Sequence, residues 1–177
     1  MRKKVLVLSG SPRKNGNSDM LCDAFVKGAE KAGHLTEKVF IQNKKIFPCL
    51  ACYGCRNTHL CVQKDDMEQV WTHLKEADVL IFGSPIYWFD MTAQLKTVID
   101  RMYAGGSTGF HFHQTALLLD AGADHVFDAA ISQYKAMTSY LKWEDLGIIC
   151  VPNMEDKGSM KESSKLGEVI QLAKSIK

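Results

Sequence analysis

The sequence predicts an α/β domain built as a doubly wound, five-stranded parallel sheet with helices on both faces, three layers in all. Two observations carry this. Five short apolar runs alternate with segments of helical period from one end of the chain to the other. Each run is followed by helical sequence, and parallel neighbours need crossover helices of that kind. A chain of 177 residues suits one such domain with a substantial core and is short for two, so 1–177 reads as a single unit with a cysteine-rich insertion at 46–64.

The elements follow in order. Val5 to Leu8 is the first strand. The basic residues before it resemble the start of a signal peptide, but the apolar run ends at Ser9-Gly10, well short of the roughly 7–15 residues of a secretory core. Asp19 to Ala32 is a helix that Asn17 or Ser18 caps and Gly33 ends. Glu37 to Ile41 is the second strand, and Asp66 to Glu76 a helix whose N-terminus carries Asp65 and Asp66. Val79 to Phe82 is the third strand. Thr92 to Tyr103 is a helix with Leu95, Val98, Ile99 and Met102 on one face, followed by a loop at Ala104 to Gly109. Thr115 to Leu119 and Gly147 to Val151 are strands, separated by a helix from Val126 to Leu141. After a loop at Val151-Pro152-Asn153, Met160 to Lys177 closes the chain as a helix.

Charge excludes some functions. Lys and Arg number 22 against 20 Asp and Glu, and no basic stripe stands out, so nucleic acid is not an expected partner. No stretch approaches the roughly 20 apolar residues of a membrane span. The expectation is a soluble, cytoplasmic protein that engages neither membrane nor nucleic acid.

The first strand runs straight into Ser9-Gly10-Ser11-Pro12-Arg13-Lys14-Asn15-Gly16-Asn17-Ser18, after which a helix begins. In an open α/β sheet ligands bind beyond the carboxyl ends of the strands, and a helix N-terminus offers free N–H groups and a positive dipole end to a phosphate. Ser9, Ser11, Asn17 and Ser18 add donors and Arg13 adds permanent charge. The loop has neither the Walker A pattern nor G-x-G-x-x-G, which leaves a mononucleotide phosphate. The plainer reading is a polar turn with a good cap.

At the same sheet edge the third strand is followed by Ser84-Pro85-Ile86-Tyr87-Trp88-Phe89, read as an aromatic loop. Such a loop suits the faces and rim of a planar heteroaromatic ring, or else is a lid packed on the core. Asp100 and Arg101 read as structural.

Six cysteines are present, and Cys49, Cys52, Cys55 and Cys61 form C-x2-C-x2-C-x5-C within thirteen residues. In a reducing cytosol this points to metal or redox chemistry before structural disulfides. Four thiolates in so short a segment suit a 4Fe-4S cluster; zinc, or thiols left free or as a disulfide, are the alternatives. His59 lies between two of them and reads as a solvated loop residue before a further metal ligand. Cys22 and Cys150 read as small core residues.

Together, Gly10-Ser11-Pro12-Arg13-Lys14-Asn15-Gly16-Asn17-Ser18, Ser84-Pro85-Ile86-Tyr87-Trp88 and Gln94-Leu95-Lys96-Thr97-Val98-Ile99-Asp100-Arg101 resemble the NAD(P)H-dependent FMN reductase family of the flavodoxin-like fold. The stretch from Pro48 to Cys61, with Lys64-Asp65-Asp66-Met67, is similar to the compact motif of its iron–sulfur flavoprotein branch. The resemblance implies FMN phosphate contacts at Ser9, Ser11, Arg13, Asn17 and Ser18, ring contacts at Pro85, Ile86, Tyr87 and Trp88, and a 4Fe-4S cluster on Cys49, Cys52, Cys55 and Cys61. It also implies a homodimer or homotetramer. The family's glycine-rich loop after the fourth strand is reduced here to Leu119-Asp120-Ala121-Gly122-Ala123-Asp124. The expected function is an FMN oxidoreductase taking electrons from NAD(P)H or a ferredoxin-like donor and passing them to a quinone, flavin or other small acceptor; the rival is a non-enzymatic electron carrier.

Overall fold

The computed structural model of the protein describes residues 1–106 and 109–177. Its sheet is built from β1 (Lys4–Ser9), β2 (Leu35–Phe40), β3 (Val79–Tyr87), β4 (Asp90–Met91), β5 (Gln114–Asp120) and β6 (Glu144–Val151). The helices are α1 (Asn17–Lys31), α2 (Cys55–Thr58), α3 (Met67–Glu76), α4 (Ala93–Arg101), α5 (Tyr103–Gly106), α6 (Asp128–Leu141) and α7 (Lys165–Lys174). The order across the sheet is β2-β1-β3-β5-β6, every neighbour parallel. Counted over these five strands it is 2-1-3-4-5, the flavodoxin-like winding that the sequence predicts.

Alternation along the strands divides the core in two. Leu6, Leu8, Leu80, Phe82, Leu117 and Leu119 face a cluster shared with α3, α4 and α6. Their neighbours Val5, Val7, Val79, Ile81, Ala116 and Leu118 face α1 and α7. The second face carries the smaller side chains, and its helices pack closely. A Cβ added at Gly28 of α1 would lie 2.7 Å from the Cβ of Ala173 in α7, and one at Gly83 of β3 would lie 2.2 Å from Cys22 Sγ. Among the described residues no helix is long and apolar enough to cross a membrane.

Several boundaries differ from the sequence reading. The run from Ser84 to Phe89 is not a loop: β3 continues through Tyr87 and turns at Trp88-Phe89 into a hairpin with β4, pairing Ile86 with Met91 and Tyr87 with Asp90. Proline is tolerated there because β1 stops pairing at Gly83, which leaves Pro85 with a ladder neighbour on the β5 side only. Neither Asn17 nor Ser18 caps α1; the cap is Gly16, with no side-chain hydrogen bond. The segment after Thr92 is two helices, so the first part of the expected loop at Ala104 to Gly109 is helical, while Ser107 and Thr108 lie outside the described residues. The closing helix is a 3-10 turn at Ser159–Glu162 followed by α7.

One buried ion pair ties the cysteine-rich segment to the sheet domain. Arg101 at the end of α4 holds both oxygens of Asp65, at 2.7 and 3.1 Å, and gives a further hydrogen bond to the Phe47 carbonyl at 2.7 Å. Asp65 also accepts from the amides of Phe47 and Met67, and both charged side chains are almost fully enclosed. Asp100 beside it is exposed and pairs with Lys96. Arg101→Ala strands a buried carboxylate and is expected to lower unfolding stability by about 3–5 kcal/mol. Arg101→Met combined with Asp65→Leu recovers most of that loss in urea denaturation, because it removes both charges together.

Candidate functional site

At the carboxyl edge of the sheet a cavity opens between the β1–α1 loop, the end of β3, the end of β5 and the segment after β6. It is lined by Ser11, Arg13, Gly16, Asn17 and Ser18, by Pro85, Ile86 and Tyr87, by Asp120, Ala121 and Gly122, and by Met154, Glu155 and Lys157. The enclosed space is about 140 Å³, less than the roughly 300–1,000 Å³ of ordinary small-molecule pockets. Tyr87, in its lining, is half exposed.

The β1–α1 loop is held from beneath by Asp19. Its Oδ1 accepts from the Ser9 hydroxyl at 2.8 Å and from Lys38 Nζ at 3.0 Å, and its Oδ2 accepts from the Asn15 amide at 2.9 Å. Burial alone would lower the Lys38 pKa; hydrogen bonds to Asp23 and Asp19 outweigh it and raise the pKa instead. Ser11 Oγ accepts from the Arg13 amide and donates to the Arg13 carbonyl, fixing the turn. Because α1 has no side-chain cap, its first-turn amides stay available to a ligand acceptor at the cavity.

The structure separates the expected contacts. Ser11, Arg13, Asn17 and Ser18 reach the cavity, as do Pro85, Ile86 and Tyr87. Ser9 does not line it: the residue is fully buried with its hydroxyl spent on Asp19. Trp88 does not line it either. It sits at the hairpin tip, 93% exposed, edge-on to Phe89. Both tip residues have positive φ, 49° and 69°, a conformation that two-residue hairpins usually give to Asn-Gly. The Asn17 side chain serves as a staple, donating to the carbonyls of Met154 and Asp156 and accepting from the amides of Gly158 and Met160. What Asn17 offers the cavity is its backbone.

Sequence reasoning did not single out Asp19, Lys38, Asp120 or the 154–157 segment. Asp120 is 4% exposed and its Oδ1 has no hydrogen-bond partner. Burial pushes its carboxyl up to about 7, against a smaller opposing contribution from the Ser18 hydroxyl. The signal for it was an acidic residue ending an otherwise apolar strand at the ligand edge.

A second and larger cavity, about 720 Å³, lies beneath the cysteine-rich segment. Its lining includes Cys49, Cys52, Cys55 and Cys61 together with Met102, Tyr103, Phe110, Met137, Tyr140 and Trp143. Four thiols are the number of donors that a 4Fe-4S cluster takes. Their arrangement is open, though: among the described residues no three His, Cys, Asp or Glu side chains converge on one metal position. Ala51, Tyr53 and His59 all take left-handed backbone conformations between the first and last cysteine, and Arg56 lies over the Tyr53 ring at 4.8 Å. Cys22 and Cys150 stand apart, the first fully buried with its thiol pushed up to about 12 by burial.

A model of the NADPH-dependent FMN reductase family matches residues 3–154. The chain is 33% identical over 178 residues to an iron–sulfur flavoprotein of Archaeoglobus fulgidus, covering 94% of this chain and 78% of that protein. It is 39% identical over 98 residues to an iron–sulfur flavoprotein of Methanosarcina thermophila, covering 55% of this chain and 51% of the relative's length. Among solved structures, an NAD(P)H:quinone oxidoreductase from Methanothermobacter marburgensis superposes with a TM-score of 0.78 at 19% identity, over 98% of this chain and 96% of the other. At that identity the likeness is one of fold.

Because the Asp120 pKa is raised on folding, its contribution to stability is complete below about pH 4 and is lost as the pH rises toward 7. Asp120→Asn in ligand-free protein is therefore expected to gain thermal stability over the parent at pH 8, by about 5–10 °C relative to any difference at pH 4. Melting curves at the two pH values check this.

Proposed function

Since this chain belongs to the NADPH-dependent FMN reductase family, in the branch of the iron–sulfur flavoproteins, we propose that it is an oxidoreductase that works through FMN held at the carboxyl edge of the sheet. The observation that carries the reading is the two-ended cavity. One end is an uncapped helix N-terminus with Ser11, Arg13 and Ser18, and the other is the Pro85–Tyr87 end of β3. FMN, when bound, accepts hydride from a nicotinamide donor and releases electrons in pairs or singly. The chain's part is to bind and orient. Ser11, Ser18, the α1 amides and Arg13 hold the phosphate, while the rigid β3–β4 hairpin sets the height of the ring through Pro85, Ile86 and Tyr87. No acid or base is required of the protein for hydride delivery, and none is assigned.

NAD(P)H is the proposed reductant, with a ferredoxin-like protein as an alternative donor, and a quinone, flavin or other small molecule is the acceptor. Cys49, Cys52, Cys55 and Cys61 are proposed to hold a 4Fe-4S cluster, supported by the presence of all four in the lining of one cavity and by the relatives' names. No electron route is assigned through it, since the thiols are not gathered around one point. The exposed Trp88-Phe89 tip supports self-association as a dimer or tetramer.

Anaerobic purification followed by iron, zinc and flavin analysis tests the assignment. About one FMN and about four irons per chain are expected; a colourless protein overturns the flavin reading, and FMN with no metal overturns the cluster alone. Arg13→Ala is expected to weaken FMN binding by about tenfold or more while leaving riboflavin, which lacks the phosphate, nearly unaffected. Fluorescence titration with the two flavins checks this.

A further inference from the structure

Asp120 ends β5 opposite Pro85 of β3 on one side and Val151 of β6 on the other, and it lines the first cavity together with Ser18 of α1, whose hydroxyl lies within hydrogen-bonding reach of its carboxyl. A carboxyl oxygen that is buried, unpartnered and part of a ligand cavity is a group whose partner comes with the ligand. Resting on the FMN reading of that cavity, we propose that Asp120 makes cofactor affinity proton-linked: as the neutral acid it donates its O–H to an oxygen of the ribityl phosphate, and as the carboxylate it repels that dianion. Where the free site is ionised, above about pH 7, binding then takes up as much as one proton from solvent, which stays on Asp120.

The surroundings leave Asp120 as the group that changes state near neutrality. Arg13 on the phosphate loop and Lys157 after β6 line the same cavity, and neither forms an ion pair with Asp120. Glu155, the other acid on the lining, is exposed and screened by solvent. Asp19 of α1 is neutralised by Lys38. Cys150 on the neighbouring strand β6 stays a neutral thiol, its pKa pushed up to about 11 by burial. Asp124 and His125 on the following loop are exposed and lie 3.6 Å from one another. With the Asp120 carboxyl at about 7 in the empty cavity, a bound dianion raises it further. Affinity is then full on the acid side of 7 and falls as the pH rises above it. The second ionisation of the FMN phosphate, near pH 6, lies below this window.

The test is FMN titration of the full chain, freed of flavin, followed by quenching of flavin fluorescence from pH 6.5 to 8.5. The wild-type Kd is expected to rise about tenfold between pH 7 and 8.5. Asp120→Asn keeps an N–H donor and cannot ionise, so its Kd should stay within about twofold across the range. Calorimetry at pH 7.5 in two buffers of different ionisation enthalpy should find net proton uptake by the wild type and none by the variant. A flat wild-type profile, an equal slope in Asp120→Asn, or loss of FMN binding by a variant with native circular dichroism overturns the inference while the flavin assignment stands. A wild-type chain that binds no FMN at any pH overturns both.

Discussion

The parallel pairing of β1 with β3, which sets Ser9 opposite Gly83, is the constraint from which the site follows. Parallel strands put all their carboxyl ends at one edge, so the loop after β1, the hairpin after β3 and the turn after β5 meet there whatever else the chain does. The pairing also requires α1 to lie close on the sheet, and Gly83 permits it by leaving space for Cys22. Asp19 then sits directly under the β1–α1 loop, where one carboxylate gathers Ser9, Asn15 and Lys38. A loop whose underside is satisfied internally can present its remaining donors to a ligand without reorganising.

The cysteine-rich segment obeys a different economy. Its base is fixed by a bidentate, nearly dry ion pair between Arg101 and Asp65, and the stretch carrying the thiols includes a short helix, α2, with His59 in a left-handed cap. Apolar side chains there face solvent: Leu50, Tyr53, Leu60 and Val62 are all exposed.

Much of the candidate site was legible because the β1–α1 loop and the end of β3 are each contiguous in sequence and each belongs to or follows a recognisable strand. What escaped the reading is instructive in its kind. Ser9 and Ser11 are chemically alike and two residues apart, yet one faces the sheet interior and the other the cavity, since side chains alternate across a strand and its exit. Asn17 was read as a ligand donor, but its amide meets a segment 137 residues away. Trp88 was grouped with its aromatic neighbours as a ring contact, and the tight hairpin carries it outward instead.

The sequence by itself determined the class of fold, the place of the ligand edge and the thiol donor set, because hydrophobic period, βα succession and cysteine spacing are local properties. Only the tertiary structure decided which donors are free and which are consumed, that the four thiols do not converge among the described residues, and that one buried oxygen of Asp120 is left without a partner. Those outcomes depend on contacts between segments far apart along the chain, and on the removal of water from groups whose burial no local pattern records.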